Sequence, residues 1–411
     1  MAAFKPFQIS VSESQLKLLK RKLDEATFPD ELDHAGWDMG VPLDEMKRLV
    51  KVWREDFDWR DQERKLNEQL AQFTTSVPVS GFGELDLHFV HEKSPTPGAI
   101  PLLFIHGWPG SFLEAKKLVP LLTRAQNENQ PAFHVVAPSL PNYGFSEGVI
   151  KRGFGLAQYA EALDSLMTSL GYEEYVTQGG DWGSMLSRVL AKHYPEHVKA
   201  IHLNFAPVLP WNISPLSFVR SLLTIPFSAK ERAKLATSWS FTAEGNGYMR
   251  QQETFPQTLG YALQDSPVAL LAWILDKLHV WSDVYPWTDE EILTWVSIYQ
   301  FSRAGPTAST RIYYEAQHNP GDGRRFVSIA DSFSICAPKS VKIAIAETRK
   351  EIIVLPLAWY RMIGNLARHT ELGIGGHFAA WEVPELLAQD LQSFFGREGQ
   401  AFASVTARDG Y

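Results

Sequence analysis

The sequence predicts an α/β fold: a mostly parallel central sheet flanked by helices, with an N-terminal helical arm and an inserted helical cap. Short apolar runs alternate with amphipathic helical stretches from about residue 85 to residue 205, the β-α-β-α rhythm of a parallel sheet. A strand, a glycine-rich turn and a helix follow one another around Gly179, Gly180, Asp181, Trp182 and Gly183. The rhythm then breaks, and residues 206–305 are helix-patterned and rich in aromatics.

Each element has a local cause. Ser12 and Gln15 form an S-x-x-Q capping box, and Leu16, Leu19 and Leu23 follow on one helical face. Leu43, Met46, Val50, Trp53 and Phe57 make a second amphipathic stripe. Neither helix has enough apolar surface to fold alone, so the arm must pack on the body of the protein. Strand signals follow at Leu85, Leu87, Phe89 and His91, at 102–105 and at 133–137, with helical stretches at 112–122 and 157–170 between or after them. A strand at 174–177 leads into a helix carried by Met185, Leu186, Val189 and Leu190, and another strand spans 200–205. The cap region carries Trp211, Trp239, Trp273, Trp281, Trp287 and Trp295. Strands resume at 341–346 and 366–371, and a last helix covers 384–395. The organisation expected is an arm over 1–75, a core over 76–205, a cap over 206–315 and the rest of the core over 316–411. No internal repeat or low-complexity tract interrupts it.

Composition narrows the function. A hydrophobic content of 45% supports a large core, and a formal net charge of −8 offers no general basic face for nucleic acid. Cys336 is the one cysteine, which excludes an internal disulfide and favours the cytosol. The N-terminus lacks the apolar stretch of a signal peptide. The longest apolar run, 267–275, is far short of the roughly 20 residues of a membrane helix. A soluble, cytoplasmic protein is expected, and a homodimer is compatible with these features.

The turn at 179–183 is G-x-D-x-G, the nucleophile elbow of α/β-hydrolases with aspartate in place of serine. The exchange has a chemical consequence. A serine that attacked a saturated carbon would leave an ether, whereas a carboxylate leaves an ester that activated water can cleave. Asp181 is therefore the candidate nucleophile for an alkyl carbon. His106-Gly107-Trp108-Pro109 follows the strand at 102–105, where the fold places one oxyanion donor. The backbone amides of Trp108 and Trp182 are the expected pair, and His106 is read as structural. Nucleophile, acid and histidine occur in that order in this fold, which selects His377 in Gly375-Gly376-His377-Phe378 as the base. Glu351, beyond the strand at 341–346, is the candidate acid, with Glu347 and Asp331 as rivals.

The helical arm, the segment from Trp53 to Arg60, His106-Gly107-Trp108-Pro109-Gly110, Pro141-Asn142-Tyr143-Gly144-Phe145-Ser146, Gly180-Asp181-Trp182-Gly183 and Gly375-Gly376-His377-Phe378-Ala379-Ala380 together resemble epoxide hydrolases of the microsomal type, in their soluble fungal-like branch. The resemblance runs over nearly the whole chain. It implies that Tyr248, in Gly247-Tyr248-Met249, and Tyr313, in Arg311-x-Tyr313-x-Glu315, donate hydrogen bonds from the cap; Tyr314 is the neighbouring alternative to Tyr313. It also supports Glu351, although Glu347-Thr348-Arg349 stands where the family typically has an aromatic and a proline. The implied reaction opens a lipophilic epoxide to a vicinal diol through an ester on Asp181, with water as co-substrate and no metal or organic cofactor. A haloalkane dehalogenase and a catalytically silent ligand-binding protein are the alternatives. A serine esterase fits poorly, because Ser184 is outside the elbow apex.

Overall fold

A computed structural model of the chain describes residues 4–125, 127–223, 228–318 and 332–411. Its sheet has nine strands among these residues: β1 (Lys5–Pro6), β2 (Gln72–Val79), β3 (Gly83–Glu92), β4 (Ile100–Ile105), β5 (Phe133–Pro138), β6 (Tyr175–Gly179), β7 (Val198–Leu203), β8 (Lys342–Glu347) and β9 (Asn365–Glu371). Their spatial order is β1-β2-β3-β5-β4-β6-β7-β8-β9. The β1, β2, β3 and β5 pairings are antiparallel, and every pairing from β5 through β4 to β9 is parallel. All six residues of β4 and all five of β6 are buried; β4 accordingly reads as an unbroken apolar run, whereas β6 also buries Thr177 and Gln178.

The arm begins as expected. Ser12 caps the helix Glu13–Asp24 in a complete capping box, and Leu19 and Leu23 are buried. The helix Leu43–Glu55 buries Met46, Leu49, Val50 and Trp53. A third helix, Trp59–Gln69, and β2 lie in a stretch whose pattern gave no helix or strand signal; Asp58 starts that helix by accepting from the backbone N–H groups of Arg60 and Asp61. The body on which the arm packs is largely the helical segment after β7. Trp37 stacks on His279 with ring centroids 3.5 Å apart, Trp59 meets Phe301 at 5.1 Å, and Arg48 pairs with Asp289 at 2.6 Å. Among the described residues between β7 and β8 every regular element is helical. The tryptophans of this segment divide by role: Trp281 and Trp295 are buried, whereas Trp211 and Trp239 are exposed. Among the described residues no helix is long and apolar enough to cross a membrane.

Candidate active site

The parallel strands deliver the functional groups to one end of the sheet. Asp181 opens the helix Asp181–His193 directly after β6 and takes φ +46°, a left-handed conformation rare for a side chain bearing a Cβ. Two glycines make that turn possible by close approach. A Cβ on Gly183 would stand 1.8 Å from the Ile105 carbonyl oxygen, and one on Gly107 would stand 2.3 Å from Asp181 Cβ. The elbow is thereby pressed against the loop after β4, where the Trp108 N–H donates to Asp181 Oδ1 at 2.8 Å. Ser184 donates its hydroxyl back to the Asp181 carbonyl at 2.7 Å and is fully occupied as a turn brace.

His377 comes from the loop after β9. Its Nε2 lies 3.5 Å from Asp181 Oδ2, and its Nδ1 lies 2.6 Å from Glu351 Oε1. Lys350 donates its backbone N–H to the Gly375 carbonyl, so the two loops run side by side for one bridge and bring Glu351 and His377 together. The His377 N–H donates to the Trp281 carbonyl at 2.9 Å, and the Trp281 ring packs 4.9 Å from the imidazole. Glu382 accepts from the backbone N–H groups of Gly376 and Phe378, each at 3.0 Å, holding the histidine loop from the other side. Burial by itself would push the His377 pKa down. The carboxylates of Glu351 and Asp181 overcome it and hold the imidazole well above its ordinary value.

The rival acids part company here. Glu347 bonds Lys234 at 2.6 Å and faces His369 at 3.6 Å, so it is engaged in another cluster. Asp331 lies outside the described residues. His106 is buried and neutral: Leu140 N–H donates to its Nε2 at 3.1 Å, and burial pushes its pKa down to about 4. That agrees with a structural part. Glu347, His369 and Glu371 are the one group of His and acidic side chains among the described residues close enough to share a metal ion. The Lys234 ammonium already bridges both of its carboxylates.

Tyr248, on the helix Gly247–Thr254, and Tyr313, on Arg311–His318, are both buried above Asp181. Trp108 stacks on Tyr248 with centroids 5.1 Å apart and planes 8° from parallel, and Trp182 meets Tyr313 edge-on at 4.8 Å. The two phenol rings lie 6.0 Å apart. Burial, reinforced by the charge of Asp181 and, for Tyr313, chiefly by Tyr248, raises both phenols well above their ordinary range, so each keeps its proton as a donor. Tyr314 faces the other way: its hydroxyl accepts from Arg152 at 2.9 Å and its ring stacks on His318. The cavity over Asp181 is otherwise apolar, lined by Met185, Phe205, Phe241, Met249, Ile352 and Ile353. Trp281, Glu382 and the cavity's apolar lining carry no motif, and no local signal in the sequence could have singled them out.

Comparisons with known proteins identify the family. Residues 4–115 match the family described as epoxide hydrolase N terminus, and residues 100–282 match the alpha/beta hydrolase fold. Epoxide hydrolase 1 of Sus scrofa is 34% identical over 420 residues, covering 96% of this chain and 89% of the relative. Juvenile hormone epoxide hydrolase of the silkworm Bombyx mori superposes with a TM-score of 0.84 at 30% identity, covering 95% of this chain and 93% of that one. Aspergillus niger epoxide hydrolase gives 0.79 at 32% identity, with 95% of each chain covered. With relatives of this similarity spanning nearly its whole length, the chain belongs to the epoxide hydrolases of the α/β-hydrolase fold.

Proposed function

We propose that this epoxide hydrolase acts through a covalent ester on Asp181, with Tyr248 and Tyr313 as the acid groups, His377 as the base, Glu351 as its orienting partner and the Trp108 and Trp182 amides as the oxyanion hole. The observation that carries the proposal is the position of the Asp181 carboxylate, 2.8 Å from the Trp108 N–H and 3.5 Å from His377 Nε2, beneath two buried phenols. A carboxylate so placed attacks a ring carbon from the back. The C–O bond breaks, both phenols donate to the departing oxygen, and one of them gives up its proton to it, leaving an alcohol and a phenolate. Each such donor contributes about 3 to 4 kcal/mol to the transition state.

Electrostatics explains how His377 then becomes a base. Two carboxylates favour its protonated form before reaction. Once Asp181 is esterified its charge is gone and one of the two influences that raise the imidazole pKa disappears, so the imidazolium passes its proton to the phenolate left by ring opening, and the neutral His377 then takes a proton from water. The resulting hydroxide attacks the ester carbonyl, and the tetrahedral oxyanion forms where the Trp108 N–H already contacts Asp181 Oδ1. The ester C–O bond on the acyl side breaks, and the diol leaves. The aliphatic and aromatic lining favours lipophilic epoxides over charged ones. Residues 206–315 are assigned as the cap that brings the two tyrosines over the sheet.

A single turnover in ¹⁸O-water tests the covalent route. The first diol should be unlabelled, with label entering Asp181 and reaching diol only on later turnovers; Asp181→Ala should form no diol. Label in the first diol would show that water attacks the epoxide directly and would overturn the proposal.

A further inference from the structure

One titratable side chain close to the reacting groups has no part in the steps above. Glu114 lies in the short 3₁₀ turn Phe112–Glu114 that follows the Trp108 loop. Its carboxyl folds back onto that loop: a Cβ on Gly110 would fall 1.7 Å from Glu114 Oε1, so the glycine leaves the space the carboxyl fills. The backbone amides of Ser111 and Gly107 face the carboxyl as donors. The loop's carbonyls are held from the opposite side by the helix Asp289–Gln300, where Trp295 Nε1 donates to the Pro109 oxygen at 2.5 Å and the Tyr299 hydroxyl to the Gly110 oxygen at 2.6 Å. Donors and acceptors of the segment 107–111 are thus clamped between Glu114 below and a cap helix above.

We propose that Glu114 is a positioning residue, whose carboxyl fixes the 107–111 loop so that the Trp108 N–H is aimed at Asp181 and, after alkylation, at the oxyanion of the ester. The inference rests on the covalent reading of Asp181. It assigns to Glu114 no contact with substrate.

The state of the carboxyl follows from its surroundings. The titratable groups that face it are His377, Asp181 and Tyr299. Burial pushes its pKa up to about 8; His377 pulls it down, the charge of Asp181 pushes it further up, and the two backbone donors lower it. Below about pH 8 Glu114 is therefore mainly uncharged. Above that, ionisation adds a further negative charge near Asp181 and His377, which strengthens the hold of His377 on its proton and so opposes its use as a base.

The test compares Glu114→Ala and Glu114→Gln with the wild-type chain, following ester formation and ester hydrolysis by rapid quench with a styrene-type epoxide at several pH values. Glu114→Ala should slow ester hydrolysis by about 10²-fold, the scale of losing one oxyanion donor, with a much smaller change in KM. Glu114→Gln, which keeps a carbonyl oxygen for the two amides, should restore most of that loss. The wild-type chain should lose hydrolysis as pH rises past about 8, and Glu114→Gln should not. A loop that served the fold alone would lower activity equally at every pH. Hydrolysis by Glu114→Ala at the wild-type rate, no rescue by Gln, or identical alkaline limbs in Glu114→Gln and wild type would each overturn the inference. Should Glu114→Ala fail to fold, the alkaline limb of Glu114→Gln still decides. Failure of the covalent reading itself is distinguishable, because the wild-type chain would then form no ester.

Discussion

Tyr313→Phe should make this enzyme slower and its fold firmer, and both magnitudes follow from where the hydroxyl sits. Tyr313 is 2% exposed, and its Oη has no partner at hydrogen-bonding geometry, although the Trp182 indole lies near enough to ease its ionisation and the Tyr313 hydroxyl near enough to Tyr248 to ease that of Tyr248. A buried polar group left unsatisfied costs about 1 to 3 kcal/mol. Phenylalanine keeps the ring that packs on Trp182 and Trp108 and removes only that oxygen. The variant should gain about 1 kcal/mol of stability, visible as a Tm increase of roughly 1 to 2 °C for a chain of this size. Loss of one donor to the departing epoxide oxygen should slow ester formation by about 10² to 10³-fold. Rapid quench of the alkylation step and scanning calorimetry measure the two effects separately. Tyr314→Phe is the control, since it removes only a half-exposed bond to Arg152 and should leave both quantities nearly unchanged. Full-rate alkylation by Tyr313→Phe, or a large loss in Tyr314→Phe, would refute the assignment. A Tm that falls with the rate would show that the Tyr313 hydroxyl is satisfied in the fold and does not wait for substrate.

Two further outcomes are expected. His377→Gln should alkylate Asp181 and stall, so that intact-mass spectrometry finds the protein heavier by one substrate, with the adduct on the peptide containing Asp181; Glu351→Gln should accumulate the same ester but release it slowly, because the 2.6 Å bond that orients His377 is weakened while the base remains. Absence of any adduct in His377→Gln would remove His377 from the hydrolytic step. Acid should destabilise the fold through its buried neutral histidines: burial lowers His88 to about 3 and His106 to about 4, so only the unfolded chain protonates there as pH falls below about 6.5. Each then costs about 2 kcal/mol at about pH 5. His377, held above the ordinary value, acts in the opposite direction, contributing stability below about 6.5 that is lost as pH rises through its folded pKa. Urea unfolding at about pH 7 and about pH 5 should therefore show a smaller acid loss in His88→Gln than in the wild-type chain, and equal losses would refute the burial account.

How much of this could be read without the fold depends on the range of the forces involved. The capping box at Ser12 and Gln15, the apolar strand β4 and the elbow at Asp181 were legible because each is set by neighbours within a few residues: a hydroxyl reaching the next turn, a strand buried on both faces, glycines admitting a tight approach. The helix Trp59–Gln69 was missed because its sequence is strongly polar and mean periodicity is weak evidence for such a helix; burial of Trp59, Glu63 and Leu66 against the rest of the chain is what places it. The direction in which the arm packs was equally hidden, since the stacking of Trp37 on His279 joins positions 242 residues apart (279 − 37).

By itself, the sequence pointed to ester chemistry, because a carboxylate at a nucleophile elbow would leave an ester where a serine would leave an ether, and it singled out His377 through the order of motifs along the chain. Only the tertiary structure chose between equals. Glu351 and Glu347 differ by four positions, but one lies 2.6 Å from the imidazole and the other is held by Lys234. Tyr313 and Tyr314 are adjacent, and the phase of one helix turns the first over Asp181 and the second toward Arg152. The hold of Trp295 and Tyr299 on the Trp108 loop belongs to the same class: it is built from close contacts across 186 residues and more, and such contacts leave no periodic trace in the segments they join.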